Sequence, residues 1–437
     1  MKNYIYAFLL LLCLILKSKA QDQLTQSYSL NQLFEFALKN NQSLKLSVSA
    51  TEIAKQQVEI AKLQRLPSAS ATLAGGYLGD VLLIDRDFSD TKKVSMPHFS
   101  NSFAVQASQV IFKGNAIDNS IASAGLQEQI ANLKLQENKL GIKLLVAGNY
   151  FDLHKLYNQR EVYHRNIELA EMRLKQVSKY YEKGMVTKND VIRSELHIAD
   201  LKLAVLSINN NINVINKQLT MATGLSEKII ILPDTTQLDS NLNVSSLEHY
   251  KEAALINYPG IQSADKQIEL SKKHLEITKA DRLPYLSAYA GNTLQRPITS
   301  SSPAIDKYSN GWQAGLSLGY NIASLYNAPR NIKLGKLQID QAREQAILVR
   351  QNKEVSLNTV YTAYNEAVVR VNTLAENVRL ANENYRITEK KYLNQLALLI
   401  DILDASNAKL DAELQLTNAG INVLFSYYRL LAETGTL

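Results

Sequence analysis

Between residues 115 and 183 the chain has no proline, and apolar residues recur at helical spacing through Ile117, Ile121, Leu126, Ile130, Leu133, Leu140, Leu144, Ala147 and Phe151. At 1.5 Å per residue such a helix is about 100 Å long, roughly three times the diameter of a small domain. No core of a chain this size needs that length. A second run over 330–392 has the same character, and shorter helical patterns cover 30–64, 188–222, 246–281 and 398–432. Only 17 glycines and 8 prolines punctuate 437 residues, too few for a fold of many short elements. Two of the helical patterns open on a small hydroxyl followed three residues later by Gln or Glu: Ser29 with Gln32, and Ser245 with Glu248. That is the spacing of a capping box.

The chain also repeats itself. Lys55–Pro67 and Lys272–Pro284, 217 residues apart, share seven of thirteen positions: Lys, Glu, Ile, Lys, Arg, Leu and Pro. Further on, Leu126/Leu337, Gln127/Gln338, Tyr150/Tyr361, Lys179/Lys390, Tyr181/Tyr392 and Asp190/Asp401 match at a spacing of 211. The second copy has therefore lost six residues between the two registers, where turn-rich segments lie, as insertions and deletions concentrate in exposed loops. A period near 214 residues is far beyond a solenoid unit and marks a duplicated domain.

Each copy contains the same non-helical interlude. "SASATLAGGYLGD" after Pro67 and "SFAVQASQVIF" over 102–112 alternate in polarity, as do "YLSAYAGNTL" over 285–294 and "GWQAGLSLGYNI" over 311–322. Pro67 and Pro284 stand at the helix-to-strand junctions, because proline ends a helix and is tolerated at the start of a strand. Strands of about ten alternating residues suit a tilted crossing of an outer membrane, and Tyr77, Phe99, Phe103, Tyr285, Tyr289, Trp312 and Tyr320 fall near their ends, as an aromatic girdle would. The same pattern suits two soluble hairpins with ordinary aromatic punctuation. Four strands do not close a membrane barrel, which needs about eight, so strands in lipid would require several chains to share one barrel.

Residues 1–20, "MKNYIYAFLLLLCLILKSKA", combine an early lysine, an apolar run and Ser18-Lys19-Ala20 before Gln21, the pattern of a secretory signal peptide. The single cysteine, Cys13, lies within that run, so the expected mature chain has no disulfide. Without Lys2, Lys17 and Lys19 the balance is 45 basic to 41 acidic residues, which gives no support for nucleic-acid binding. Beyond residue 20 no stretch has the eighteen or so apolar residues that a spanning helix requires. The six histidines, His98, His154, His164, His197, His249 and His274, form no clustered metal spacing, and no nucleophile motif or phosphate-cradling loop is present. No cofactor and no enzymatic activity are expected.

At this point the sequence resembles the outer-membrane efflux proteins of the TolC type. The resemblance is carried by the two "RLP" junctions, by "ALKNNQSL" (37–44) and "ALINYPGI" (254–261), by the tips "YYEKGMVTKNDVIRSEL" (180–196) and "KYLNQLALLIDILDASNAKL" (391–410), and by "ETGTL" at 433–437. It implies a mainly α fold with a small β part: a long-helix α-barrel tunnel continuing a trimer-shared, twelve-stranded transmembrane β-barrel, with four strands from each chain. The expected organisation is a signal peptide over 1–20, a first helix-strand-strand-helix-helix repeat over 21–222, an equatorial connector over 223–245 and a second repeat over 246–437. The implied function is an outer-membrane exit duct of a tripartite efflux or type I secretion system, extending into the periplasm and passively conducting cargo. Its implied partners are outer-membrane lipid, a periplasmic adaptor (membrane fusion protein) and an inner-membrane RND or ABC pump. The alternative is a periplasmic helical-hairpin scaffold or adaptor without a membrane barrel.

The resemblance also implies a periplasmic gate. Asp401 and Asp404 share a helix face, and "DILD" matches the position where the family places acidic rings. Tyr392 and Asp190 match positions used for links between neighbouring helices near this mouth. From the residues alone, a solvated helix start, where acids favour the positive end of the dipole, is the plainer account of the aspartates. The sequence departs from the pattern at Ala397 and Gly420, where some members carry arginines, and at Gln395, where glycine is common, so its closing bonds are expected to differ. Segments 80–99 and 295–310 are expected to be extracellular loops.

Overall fold

The duplication appears in the element lengths of the computed structural model, which describes residues 24–234, 244–301 and 303–437. Helices α1 (Leu30–Asn40) and α2 (Gln42–Leu63), of 11 and 22 residues, recur at the same lengths as α5 (Leu247–Asn257) and α6 (Pro259–Ala280). The long helices are α3 (Ala116–Glu182) and α7 (Ser324–Leu393), of 67 and 70 residues. Each is followed by a 36-residue helix, α4 (Lys188–Thr223) or α8 (Leu399–Thr434). The expected signal peptide and residues 235–243 of the connector lie outside the described residues. Among the described helices none is long and apolar enough to cross a membrane.

Two of the expected helices are in fact pairs. The run over 30–64 breaks at Asn41, whose Oδ1 accepts the backbone N–H of Ser43 (2.9 Å) and Leu44 (3.3 Å), capping α2 with a side chain that competes with the helix backbone. The run over 246–281 breaks at the equivalent Tyr258, because the next residue is Pro259 and the α-region is disfavoured before proline. The capping box at Ser29 and Gln32 forms with both of its bonds. In the second copy the cap is Ser246, not Ser245: the Ser246 hydroxyl accepts from His249 N–H, while Ser245 N–H donates to the Tyr250 hydroxyl.

The chain divides into two units. One is built from the described residues up to Val48, Lys134–Gln262 and Val349–Leu437. Its main core gathers Leu33, Val146, Ala147, Tyr150, Phe151, Leu153, Leu219 and Ile231. Here the connector contains a strand the alternation does not announce: β6 (Ile229–Pro233) pairs in parallel with β1 (Leu24–Tyr28), Leu24 opposite Ile229. Buried Asn216 supports it like a strand partner, donating to Ile229 C=O and accepting from Ile231 N–H, both at 2.8 Å. Tyr150, fully buried, donates to the carbonyl of Asp234 at 2.7 Å.

The other unit comprises Ser49–Leu133 and Ser263–Leu348. It holds one four-stranded antiparallel sheet in the order β2-β5-β7-β8: β2 (Ser68–Tyr77), β5 (Phe99–Phe112), β7 (Tyr285–Arg296) and β8 (Ser309–Gly319). The two copies thus meet in one sheet through β5 and β7, Asn101 opposite Arg296. Pro67 and Pro284 each immediately precede a strand, β2 and β7. The segment 80–99, expected as a loop, contains a further hairpin, β3 (Val81–Ile84) with β4 (Thr91–Val94). Helix contacts in this unit are small: Val58 and Ala61 pack on Ala124, and Leu126 and Ile130 on Leu270.

Candidate functional site

Because side chains alternate across a sheet, the pairing register assigns every strand residue to one of two faces. With Leu73 opposite Phe103, Phe103 opposite Leu294 and Asn292 opposite Trp312, one face collects Leu73, Tyr77, Phe99, Phe103, Val105, Leu294, Trp312, Leu316 and Leu318, interrupted by Asn101, Gln109, Asn292, Asn310 and Arg296. These side chains are exposed: Leu73 and Trp312 are each 80% accessible and Leu318 is 73%. The opposite face collects Ser68, Ser70, Thr72, Ser102, Gln106, Ser108, Thr293, Gln313 and Ser317, with Tyr285 and Tyr289. Apart from those two phenols, that face carries no ionisable side chain on the four strands. A soluble hairpin buries its apolar face; this sheet leaves bare the face that holds its large aliphatic and most of its aromatic side chains and lines the other face mainly with hydroxyls.

On the polar face two tyrosines pair with cross-strand glycines. Tyr289 lies opposite Gly315 and Tyr285 opposite Gly319. A Cβ placed on Gly315 would stand 2.9 Å from the Tyr289 hydroxyl, and one on Gly319 would collide with the Tyr285 ring. The rings lie across the glycines, shielding backbone that has no side chain of its own.

The second candidate region is the pair of helix-turn-helix tips. Each turn closes the same way: Gly184 N–H donates to Tyr181 C=O and Met185 N–H to Tyr180 C=O, while Gln395 N–H donates to Tyr392 C=O and Leu396 N–H to Lys391 C=O. This is the double bond of a Schellman ending, which requires a left-handed residue. Gly184 supplies it at φ 69°; in the second copy Gln395 is held at φ 60°.

The aspartates sit at the next helix starts. Asp190 Oδ2 accepts from Thr187 N–H (2.8 Å) and the Thr187 hydroxyl (2.7 Å). Asp401 Oδ2 accepts from Leu398 N–H at 2.8 Å. Asp401 and Asp404 are both exposed. Tyr392 is buried, and its hydroxyl has no hydrogen-bond partner. Burial first, and the nearby Asp190 carboxylate second, push its pKa up. The structure thus brings Tyr392 and Asp190 into one cleft, with Thr187, Ala397 and Leu399, but Asp190 Oδ2 is spent on its own helix cap.

One group the sequence does not single out is Arg173 in α3. It is buried, its Nη2 donates to the Tyr385 hydroxyl in α7, and that hydroxyl donates to Glu389 Oε1 at 2.8 Å. Lys409 in α8 adds its ammonium 5.0 Å from the Tyr385 ring centre. In "EMRLKQ" Arg173 reads as one more solvated charge, because nothing in helical periodicity says which lysine or arginine turns inward. Among the described residues no group of His, Cys, Asp and Glu has the arrangement of a metal site.

Comparison with known proteins agrees with this geometry. The chain is 22% identical over 433 residues to outer membrane protein TolC of Escherichia coli (strain K12), covering 95% of this chain and 84% of that protein. It is 22% identical over 414 residues to outer membrane efflux protein BepC of Brucella suis biovar 1 (strain 1330), covering 92% and 84%. Its fold superposes on the CusC structure with a TM-score of 0.79 at 14% identity, covering 93% of this chain and 91% of that one. The family model described as "Outer membrane efflux protein" matches residues 33–225 and 251–436. Because that match takes in most of the chain, the chain belongs to the outer membrane efflux protein family.

Proposed function

We propose that this chain is the outer-membrane exit duct of a tripartite efflux or type I secretion system, and that three copies close one twelve-stranded barrel. The observation that carries the reading is the exposed apolar face opposite a polar one on a sheet with two open edges, β2 and β8. In hydrocarbon an unpaired strand edge leaves each backbone group several kcal/mol short, so the edges must be joined by other copies. The apolar face meets lipid and the hydroxyl- and amide-lined face meets the water-filled passage. The helices bear the periplasmic part, with a periplasmic adaptor and an inner-membrane RND or ABC pump supplying energy.

The organisation that goes with this reading is a signal peptide over 1–20, repeats over 21–222 and 246–437, and a connector over 223–245. Asp401 and Asp404, with Tyr392 and Asp190 beside them, form the periplasmic gate. A scaffold without a barrel has no use for bare leucines and tryptophan on a sheet face. Mass measurement of the detergent-purified particle tests the assembly: three chains per particle are expected, with channel activity in planar bilayers. A monodisperse monomer with intact β signal refutes the shared barrel.

A further inference from the structure

The hairpin β3–β4 extends the β2–β5 ribbon. Beyond the Tyr77–Phe99 pair, Leu78 N–H donates to His98 C=O at 2.9 Å, and the Tyr77 and His98 rings stack 5.1 Å apart. Asp80 then fixes the base of the hairpin, accepting from Met96 N–H at 3.1 Å and pairing with Lys93 at 3.0 Å. By connectivity β3 continues β2, so its free edge lies on the side of the open edge of β2.

That edge is apolar. Val81, Leu82, Leu83 and Ile84 are between 41% and 55% exposed, and Phe88 at the hairpin tip is 81% exposed. Four consecutive apolar residues leave grease on both faces of a two-stranded ribbon that stands in water if it projects beyond the membrane strands.

The chain leading into β8 is built as a counterpart. Ile298 and Ile305 are joined by a β-bridge, and Arg296 holds Asp306 in a two-pronged pair at 2.7 and 3.1 Å. Asn101 Nδ2 donates to the Tyr308 hydroxyl at 3.2 Å, and Ile305 and Tyr308 remain 44% and 57% exposed. Asp306 is occupied by Arg296, which leaves Lys307 as the cation of this segment; the 85–90 turn of the hairpin, with Asp85, Arg86, Asp87 and Asp90, carries a net charge of −2.

We propose that the β3–β4 hairpin of one copy clasps the 303–308 segment of the next copy on the extracellular side, covering Val81–Ile84 with Ile305 and Tyr308. The inference rests on the shared barrel. If β2 of one copy neighbours β8 of the next, the free edge of β3 and the segment feeding β8 face the same seam. The seam between copies then continues past the membrane strands, and the occupant of the apolar edge is a second copy of this chain.

The chain's single cysteine, Cys13, lies in the expected signal peptide, so introduced thiols report alone on the mature protein. Differently tagged Leu83→Cys and Ile305→Cys chains are co-expressed and whole cells are treated with a short bismaleimide. A dimer band carrying both tags is expected. The control co-expresses Thr72→Cys in β2 with Gly311→Cys, Gln313→Cys or Ser317→Cys in β8, residues on one face of the sheet. Linked strands without linked loops would overturn the clasp while leaving the shared barrel standing. If no strand pair links and the particle is monomeric, the barrel reading itself fails. Quenching of a probe at Leu83→Cys by brominated lipid, with no loop cross-link, would place the hairpin in the outer leaflet and also overturn the clasp.

Discussion

Gln395 occupies a position that its copy gives to Gly184, and it holds a left-handed φ of 60° to let the second tip turn. A side chain there costs about 1–2 kcal/mol, partly offset by the smaller entropy a non-glycine residue loses on folding. Gln395→Gly is therefore expected to raise the thermal midpoint of the purified protein, by a net stabilisation of about 0.5 kcal/mol, whereas Gly184→Ala lowers it. Equal midpoints for all three proteins would mean that the turn relaxes without strain. A second residue-scale effect is acid sensitivity. Burial, reinforced by the Arg173 guanidinium and opposed by Asp200, holds His197 below the ordinary histidine range. The unfolded chain then takes up the proton more readily, so the stability contributed by neutral His197 is complete above the unfolded pKa of about 6.5 and is lost as pH falls through the lower folded value. His197→Gln is expected to lose less thermal stability than the parent on going from about pH 7 to about pH 5. An unchanged pH slope would show that His197 does not contribute.

At the scale of elements, the matching lengths of α1/α5, α2/α6 and α4/α8 show that a duplicated sequence has folded the same way twice. The copies differ most where the strands turn. The first turn carries the β3–β4 hairpin, and the second is a short bridged loop held by Arg296 and Asp306. Both turns lie at the strand ends away from the helix junctions, which makes them extracellular in the proposed duct. Cysteines at exposed Ser89 and at Ser301 are expected to react with an impermeant thiol reagent on intact cells. Silence at both positions in assembled protein would invert the topology. Helix and strand identity were legible because amphipathic spacing is a local property: the alternation after Pro67 and Pro284 matches β2 and β7. The helix breaks at Asn41 and Tyr258 were not, since a single capping side chain or proline interrupts a periodicity without changing it.

At the scale of the whole molecule the proposed acidic mouth is the sharpest test. Six carboxylates from three copies of Asp401 and Asp404 would favour cations and bind divalent or trivalent ions when brought together. Asp401 also caps α8 through Leu398 N–H, so Asp401→Asn with Asp404→Asn is the cleaner double substitution: the amide oxygen still accepts that bond while the charge is gone. In planar bilayers it is expected to reduce cation selectivity and abolish block by divalent and trivalent cations added from the periplasmic side. Unchanged selectivity and block would leave these aspartates as helix starts and nothing more.

What the sequence determined by itself is local or repeated: the long helices, the alternating strands, the capping box at Ser29, the doubled plan and the short motifs that carry the family resemblance. What only the tertiary structure decided depends on partners far apart in the chain. Leu24 pairs with Ile229, Asn216 reaches β6, β5 of one copy pairs with β7 of the other, and Arg173 finds Tyr385 and Glu389. A helical or strand period says which face of an element is apolar, but the energy of a buried amide or guanidinium depends on the atom placed opposite it. That atom is supplied by another element, and no spacing within one segment encodes it.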